Sequence, residues 1–218
     1  MIPSLFYHQV MPADPSTPAV TPEEFRGQMD YLRRRGYAFL GLDSPADSGK
    51  AVRVSFDDGF ACMMEHVVPT LVEQRIPAAF FIVAGAVGGK DSWHCGREPL
   101  LEWAQLREMV RQGLLIGSHS MSHPRLSEVS SDQARAEIVD SKKMLEDRLG
   151  VAIEHFAYPK GRWNAQVADL VRQAGYKAGW ATRSGDGSPF ARRRHPVAPG
   201  TGAIRFATKV LRIRLNLA

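Results

Sequence analysis

The sequence predicts an α/β protein in which parallel strands are wrapped by helices, forming a single domain over residues 1–218. Two observations carry that prediction. Short apolar runs of strand character alternate with helix-like amphipathic segments along the chain, the pattern that packs helices against a parallel sheet. No linker, repeat or low-complexity stretch breaks the alternation, and the 218 residues are 44% hydrophobic, enough for one substantial core.

Taken in order, Ser4 to His8 reads as a short first strand. Thr21-Pro22-Glu23-Glu24 opens a helix, with Thr as cap, Pro at the first position and Glu three residues after the cap. Phe25, Met29 and Leu32 share its apolar face, and Gly36 ends it. Tyr37 to Leu42 is the next strand and Ala51 to Phe56 a buried one. Residues 61–74 look helical, interrupted by Pro69, and Ala78 to Ala84 is the most strand-like run in the chain. Residues 86–98 form a loop containing Trp93. Leu101 to Gln112 is a helix and Gly113 to Ser118 a strand. Asp132 to Leu149 is a long amphipathic helix, with Ile138, Leu145 and Leu149 inward and Gly150 as its stop. His155 to Pro159 is a strand, Asn164 to Ala174 a helix, Tyr176 to Ala181 a strand and 183–189 a polar, glycine-rich loop.

Chemistry concentrates at the ends of two of these strands. Ser55-Phe56-Asp57-Asp58-Gly59 places adjacent acids where a strand opens into a tight turn. Neighbouring side chains of an extended chain point opposite ways, so a turn at Gly59 is what would bring both acids to one site in different roles. Read alone, the three residues also suit an exposed turn that caps the next helix. His119-Ser120-Met121-Ser122-His123-Pro124 follows the strand ending at Ser118. A helical turn there would put the two imidazoles, four residues apart, on one face. Two histidines and a carboxylate make a three-ligand metal site with positions open for water and substrate, and the remaining acid supplies a free base.

These two segments resemble the first two motifs of the polysaccharide deacetylases, the NodB-homology or carbohydrate esterase family 4 enzymes. Phe156-Ala157-Tyr158-Pro159-Lys160-Gly161 is similar to that family's Arg-x-Pro-x-Gly motif, and the order and spacing of all three agree. The resemblance implies a distorted (β/α) barrel, usually counted as seven-stranded, with site residues at strand C-terminal ends. It implies Asp58, His119 and His123 as metal ligands, Asp57 as catalytic base and the backbone N–H of Lys160 as a donor to the oxyanion. For two nitrogens and one oxygen, Zn is the favoured divalent metal, since Mg and Ca prefer oxygen ligands. The implied substrate is an acetylated glycan or glycoconjugate that loses an N-acetyl group from an amino sugar. An O-acetyl esterase, a deacylase of a lipid-linked sugar and a non-catalytic carbohydrate-binding relic are the alternatives.

The chain departs from the family pattern in two places. Ala157 stands where the family has an Arg that orients the catalytic Asp, and the late Leu-x-His motif, the usual source of the acid, is not cleanly present. Tyr7-His8-Gln9-Val10 resembles the Tyr-His segment of the poly-N-acetylglucosamine deacetylase branch, in which an early His is the acid. His8 is therefore the expected general acid and His195 the runner-up. That branch also places an Arg late in the chain; Arg194 is the first choice here and Arg193 the second, with a solvated basic turn as the plainer account of Arg192 to Arg194. Tyr158, Trp93 and Trp163 are candidate substrate contacts, while most tryptophans, Trp180 among them, simply serve a core.

Net charge is +5 and the pI about 9.4, with positive charge concentrated late in Arg192 to Arg194, Arg205, Lys209, Arg212 and Arg214. Without an interleaved aromatic platform or a binding motif, this does not read as a nucleic-acid surface. The basic, leucine-rich stretch from Arg205 to Leu217 instead motivates a peripheral membrane contact. Cys62 and Cys95 make no disulfide framework and are expected as free thiols. The N-terminal residues lack a charged n-region and a long apolar h-region, and no run of 18 apolar residues occurs. As written, the chain is expected in the cytoplasm, and outside it only if a leader was removed.

Overall fold

Parallel pairing recurs throughout the computed structural model, which describes residues 2–14, 18–45, 49–93, 98–182 and 184–217. Cys95 lies outside the described residues, and Cys62 is in no disulfide among them. The chain divides into two compact units built from separate stretches. Met1–Phe56, Cys62–Ala79 and His195–Ala218 form the first; Asp57–Ala61 and Phe80–Arg194 form the second.

In the first unit β1 (Ser4–Tyr7) pairs in parallel with β3 (Ala51–Phe56) and with β8 (His195–Pro196), while β2 (Ala38–Phe39) pairs with β3. Tyr7, Phe25 and Phe56 meet at ring separations of 5.4–5.7 Å and anchor its core. The buried Tyr7 hydroxyl donates to Gln28 Oε1 (2.8 Å), and Gln28 Nε2 donates to the Thr201 carbonyl (3.0 Å), so this polar chain is satisfied inside the core. Helix α1 (Pro22–Arg34) has the expected capping box: Thr21 Oγ1 accepts from the Glu24 N–H, and the Glu24 carboxylate accepts from the Thr21 N–H. Pro69 starts a helix rather than interrupting one, so 61–74 resolves into α2 (Met63–His66) and α3 (Val68–Glu73). The remaining helix of this unit, α7 (Ala203–Arg214), was read from sequence only as a basic stretch. Its Phe206, Val210 and Ile213, at helical spacing, are buried, with Phe206 edge-on to Tyr31 of α1.

The second unit contains most of β4 (Ala78–Ile82), then β5 (Leu115–Ser118), β6 (His155–Ala157) and β7 (Ala178–Trp180), hydrogen-bonded in the order β7-β6-β5-β4. Helices α4 (Trp103–Arg111), α5 (Ser131–Leu149) and α6 (Ala165–Gln173) accompany them. Ser130 caps α5 through the Gln133 N–H, and Gly150 ends it in the left-handed region at φ 69°. Leu149, expected inward, is only half-buried. Several strands are shorter than their apolar runs. β4 stops at Ile82 because the next backbone groups leave the ladder: the Ala84 and Gly85 N–H groups donate to the carbonyls of Ser120 and Met121.

Candidate active site

The site lies within the second unit and begins where β3 ends. Asp58 (φ 72°) and Gly59 (φ 80°) are successive left-handed residues, and they turn the chain sharply after Asp57. A positive φ is uncommon for a residue with a Cβ and costs on the order of 1 kcal/mol, so the surroundings must hold it. They do: the Gly59 carbonyl accepts from the Leu101 N–H (2.8 Å), the Ala61 N–H donates to the Pro99 carbonyl (2.9 Å), and a Cβ on Gly59 would lie 3.0 Å from Ile82 Cδ1. The turn gives the two acids different partners.

Asp58 faces imidazoles. Its Oδ1 lies 3.5 Å from His119 Nε2 and 3.3 Å from His123 Nε2, with all three residues buried. The three donors lie within 4.8 Å of one another. Donors bound at about 2.0–2.2 Å to one tetrahedral Zn sit roughly 3.3–3.5 Å apart, so the two Asp58 separations suit such an ion. His119 Nδ1 is 2.8 Å from the Ala157 carbonyl; a carbonyl can only accept, so Nδ1 carries the proton and Nε2 keeps the lone pair a metal needs. Burial, above all, lowers the His119 pKa to about 4, which keeps the ring neutral near pH 7.

The histidines do not converge through a helical turn, as their spacing suggested. Ser120 (φ 67°) and His123 (φ 64°) are both left-handed, and the loop is held from outside. Glu137, buried on α5, accepts the Met121 N–H (2.9 Å), the Ser122 N–H (2.8 Å) and the Ser122 hydroxyl (2.5 Å). Ser120 Oγ accepts the His123 N–H (3.0 Å), and Ser118 Oγ, paired with Ser141 Oγ, accepts the Ser120 N–H (3.2 Å). Gly85 allows the loop to approach, since a Cβ there would stand 2.8 Å from the Met121 carbonyl oxygen. Sequence reasoning missed Glu137. The available signal was an acid in register with Ala134, Ile138, Ser141 and Leu145 on the buried face of α5.

Asp57 faces a guanidinium. Arg194 Nη1 and Nη2 donate to Asp57 Oδ1 (2.6 Å) and Oδ2 (2.9 Å), a bidentate pair with side chains 1% and 4% exposed. Residues preceding Arg194 run beside β7, where the Arg192 N–H donates to Gly179 and the Ala181 N–H to Arg192. Arg194 Nε then reaches the Ala181 carbonyl, and its guanidinium carbon lies 4.9 Å from the Phe81 ring centroid. Arg193, the second choice, is occupied with the Gly185 carbonyl at 2.9 Å.

Trp93 stacks on His123 at 4.7 Å and 29°. Lys160 adopts φ 57° in a single turn of 3₁₀ helix, Pro159–Gly161, with its side chain exposed. Trp163 is half-exposed and its indole N–H donates to Ser184. Tyr158 is 1% exposed with its hydroxyl given to the Phe190 carbonyl (2.6 Å), so its ring offers no open face for a sugar. Trp180 is buried and donates to His155 Nδ1. His8 and His195 belong to the first unit: His8 is exposed at the end of β1 beside Phe6, and His195 is buried in β8, in register with Leu5.

Three comparisons bear on this arrangement. The polysaccharide deacetylase family profile matches residues 44–179. The Bacillus subtilis protein YxkH is 27% identical over 96% of this chain and 76% of its own length. A Staphylococcus aureus poly-beta-1,6-N-acetyl-D-glucosamine N-deacetylase is 26% identical over 75% of this chain, which spans 61% of that protein. Among solved structures, the Streptococcus pyogenes deacetylase PplD in complex with acetate matches with a TM-score of 0.84 at 24% identity, covering 96% of this chain and 97% of PplD. The likeness shows the expected fold class, the distorted (β/α) barrel.

Proposed function

This chain belongs to the polysaccharide deacetylase family, and we propose that it is a metal-dependent hydrolase removing N-acetyl groups from an amino sugar in a glycan or glycoconjugate. The observation that carries the reading is the division of labour between adjacent acids. Asp58 gathers two imidazole donors, while Asp57 is held by Arg194. The substrate class is supported by the N-acetylglucosamine polymer that the staphylococcal relative deacetylates.

Asp58, His119 and His123 would hold the metal, Zn by the chemistry of its donors. When bound, a divalent metal supplies Lewis acidity to the acetamide carbonyl and to the attacking water. Asp57 takes the proton of that water. Two charge-assisted hydrogen bonds from Arg194 fix the direction of that carboxylate. Ala157 is therefore no argument for lost catalysis. The Lys160 N–H donates to the oxyanion as the amide carbon becomes tetrahedral. The departing amine needs a proton, which His8 delivers, with His195 as the second choice.

The test is acetate and free-amine release from N-acetylglucosamine oligomers, run beside an O-acetylated polysaccharide. Equal acetate and amine are expected, with turnover lost to a chelator and restored by Zn. Acetate released only from the O-acetylated polymer would make the chain an esterase, and chelator-resistant turnover would remove the metal from the mechanism.

A further inference from the structure

The four most exposed large aliphatic side chains among the described residues all fall on α7 and the three residues after it. Ile204 is 83% exposed, Leu217 61%, Leu215 56% and Leu211 50%. Scattered exposed aliphatics are ordinary on a protein surface; a row of them is not. At about 100° per residue, Ile204, Leu211 and Leu215 fall within about 40° of one another, directly opposite the buried Phe206, Val210 and Ile213. Arg205 and Arg212 border this row on one side and Arg214 on the other, and the helix contains no acidic residue. Lys209, its fourth cation, is turned inward and donates to the Pro196 carbonyl.

We propose that the outer face of α7 docks on an anionic lipid bilayer, lying in the interface without crossing it. The aliphatic row would enter the acyl boundary while the long arginine stems carry their guanidinium groups to headgroup phosphates. No described helix is long and apolar enough to cross a membrane. A symmetric second copy fits less well, because the like charges along both borders would face one another. Nucleic acid would engage the arginines and leave the aliphatic row without a use. Such docking is independent of the chemistry proposed above and can be measured without substrate.

The full chain would be sedimented with vesicles of phosphatidylcholine alone or mixed equally with phosphatidylglycerol. Binding is expected to the anionic vesicles only and should weaken as salt rises. Ile204→Ser with Leu211→Ser should lower partitioning about tenfold or more, and Arg205→Gln with Arg212→Gln should remove the preference for anionic lipid. All four positions are exposed, so both double variants should melt like wild type; if the aliphatic pair misfolds, the arginine pair still decides. Wild-type protein left in the supernatant overturns the proposal, as do variants that bind like wild type. Self-association that disappears in the aliphatic variant, without lipid binding, gives the face to a second copy.

Discussion

Arg194→Met tests whether the guanidinium pair is a fixed part of the site. The variant keeps an apolar stem near Phe81 and removes the charge, leaving the Asp57 carboxylate buried without its partner. Hydrogen bonds to charged groups contribute about 1.5–3 kcal/mol each, and the two to the Asp57 carboxylate are lost along with the longer one to the Ala181 carbonyl. Breaking a buried ion pair from one side costs about 3–5 kcal/mol, which agrees. Against a typical total of about 5–15 kcal/mol, that is a large fraction. Urea unfolding of the metal-free protein at neutral pH, followed by circular dichroism, would read it directly. With a slope near 2 kcal/mol per molar, the midpoint should fall by roughly 1.5–2.5 M. Asp57→Leu combined with Arg194→Met removes both charges and should be more stable than Arg194→Met alone. A single variant within about 1 kcal/mol of wild type, or a double variant no better than the single, would refute the account of a desolvated, mutually dependent pair.

Four further outcomes are expected. Asp57→Asn should abolish turnover while metal stays bound in equilibrium dialysis, whereas Asp58→Asn should release it; the reverse would exchange the two roles. His8→Ala should lower kcat by about 10²–10⁴-fold with metal retained and His195→Ala should matter less, the opposite ranking moving the acid to His195. Glu137→Ala should weaken Zn affinity about 10–100-fold in chelator competition, with Glu137→Gln milder because its amide can still accept both loop N–H groups; equal affinity in all three proteins would show that the clamp is irrelevant to the ligands. With a folded-state His119 pKa near 4 against an ordinary 6.5, the unfolded chain binds the extra proton between those values. Stability of the metal-free protein should therefore be full above pH 6.5 and fall as pH drops toward 4, a slope in Tm that His119→Gln should flatten.

Much of this was legible in the sequence because local chemistry decided it. Ala51 to Phe56 reads as a strand because a β-branched, apolar run meets Asp-Asp-Gly, and β3 has those bounds. The Thr21 capping box needs only four consecutive residues. What failed was set from a distance. His119 and His123 look helical by spacing, yet the loop conformation is imposed by Glu137 and Ser118, whose side chains accept the N–H groups of Ser120, Met121 and Ser122. Tyr158 looks like a sugar platform in a motif, but the Phe190 carbonyl, 32 residues on, takes its hydroxyl. The α7 helix was missed although Phe206, Val210 and Ile213 mark its inner face at helical spacing, because its basic residues drew the reading to charge instead.

The adjacency of Asp57 and Asp58 has a consequence for tolerance to change. Base and ligand are joined by one peptide bond, so their spacing is a covalent length with one turn in it. The pairings of Asp57 with Arg194 and of Asp58 with His119 and His123 depend on segments distant in sequence and can drift as loops lengthen or strands slip. The interval between proton acceptor and metal donor cannot. Loops elsewhere in the chain can therefore diverge to suit different glycans while the chemical interval stays the same, whereas a single residue inserted between Asp57 and Asp58 would break it.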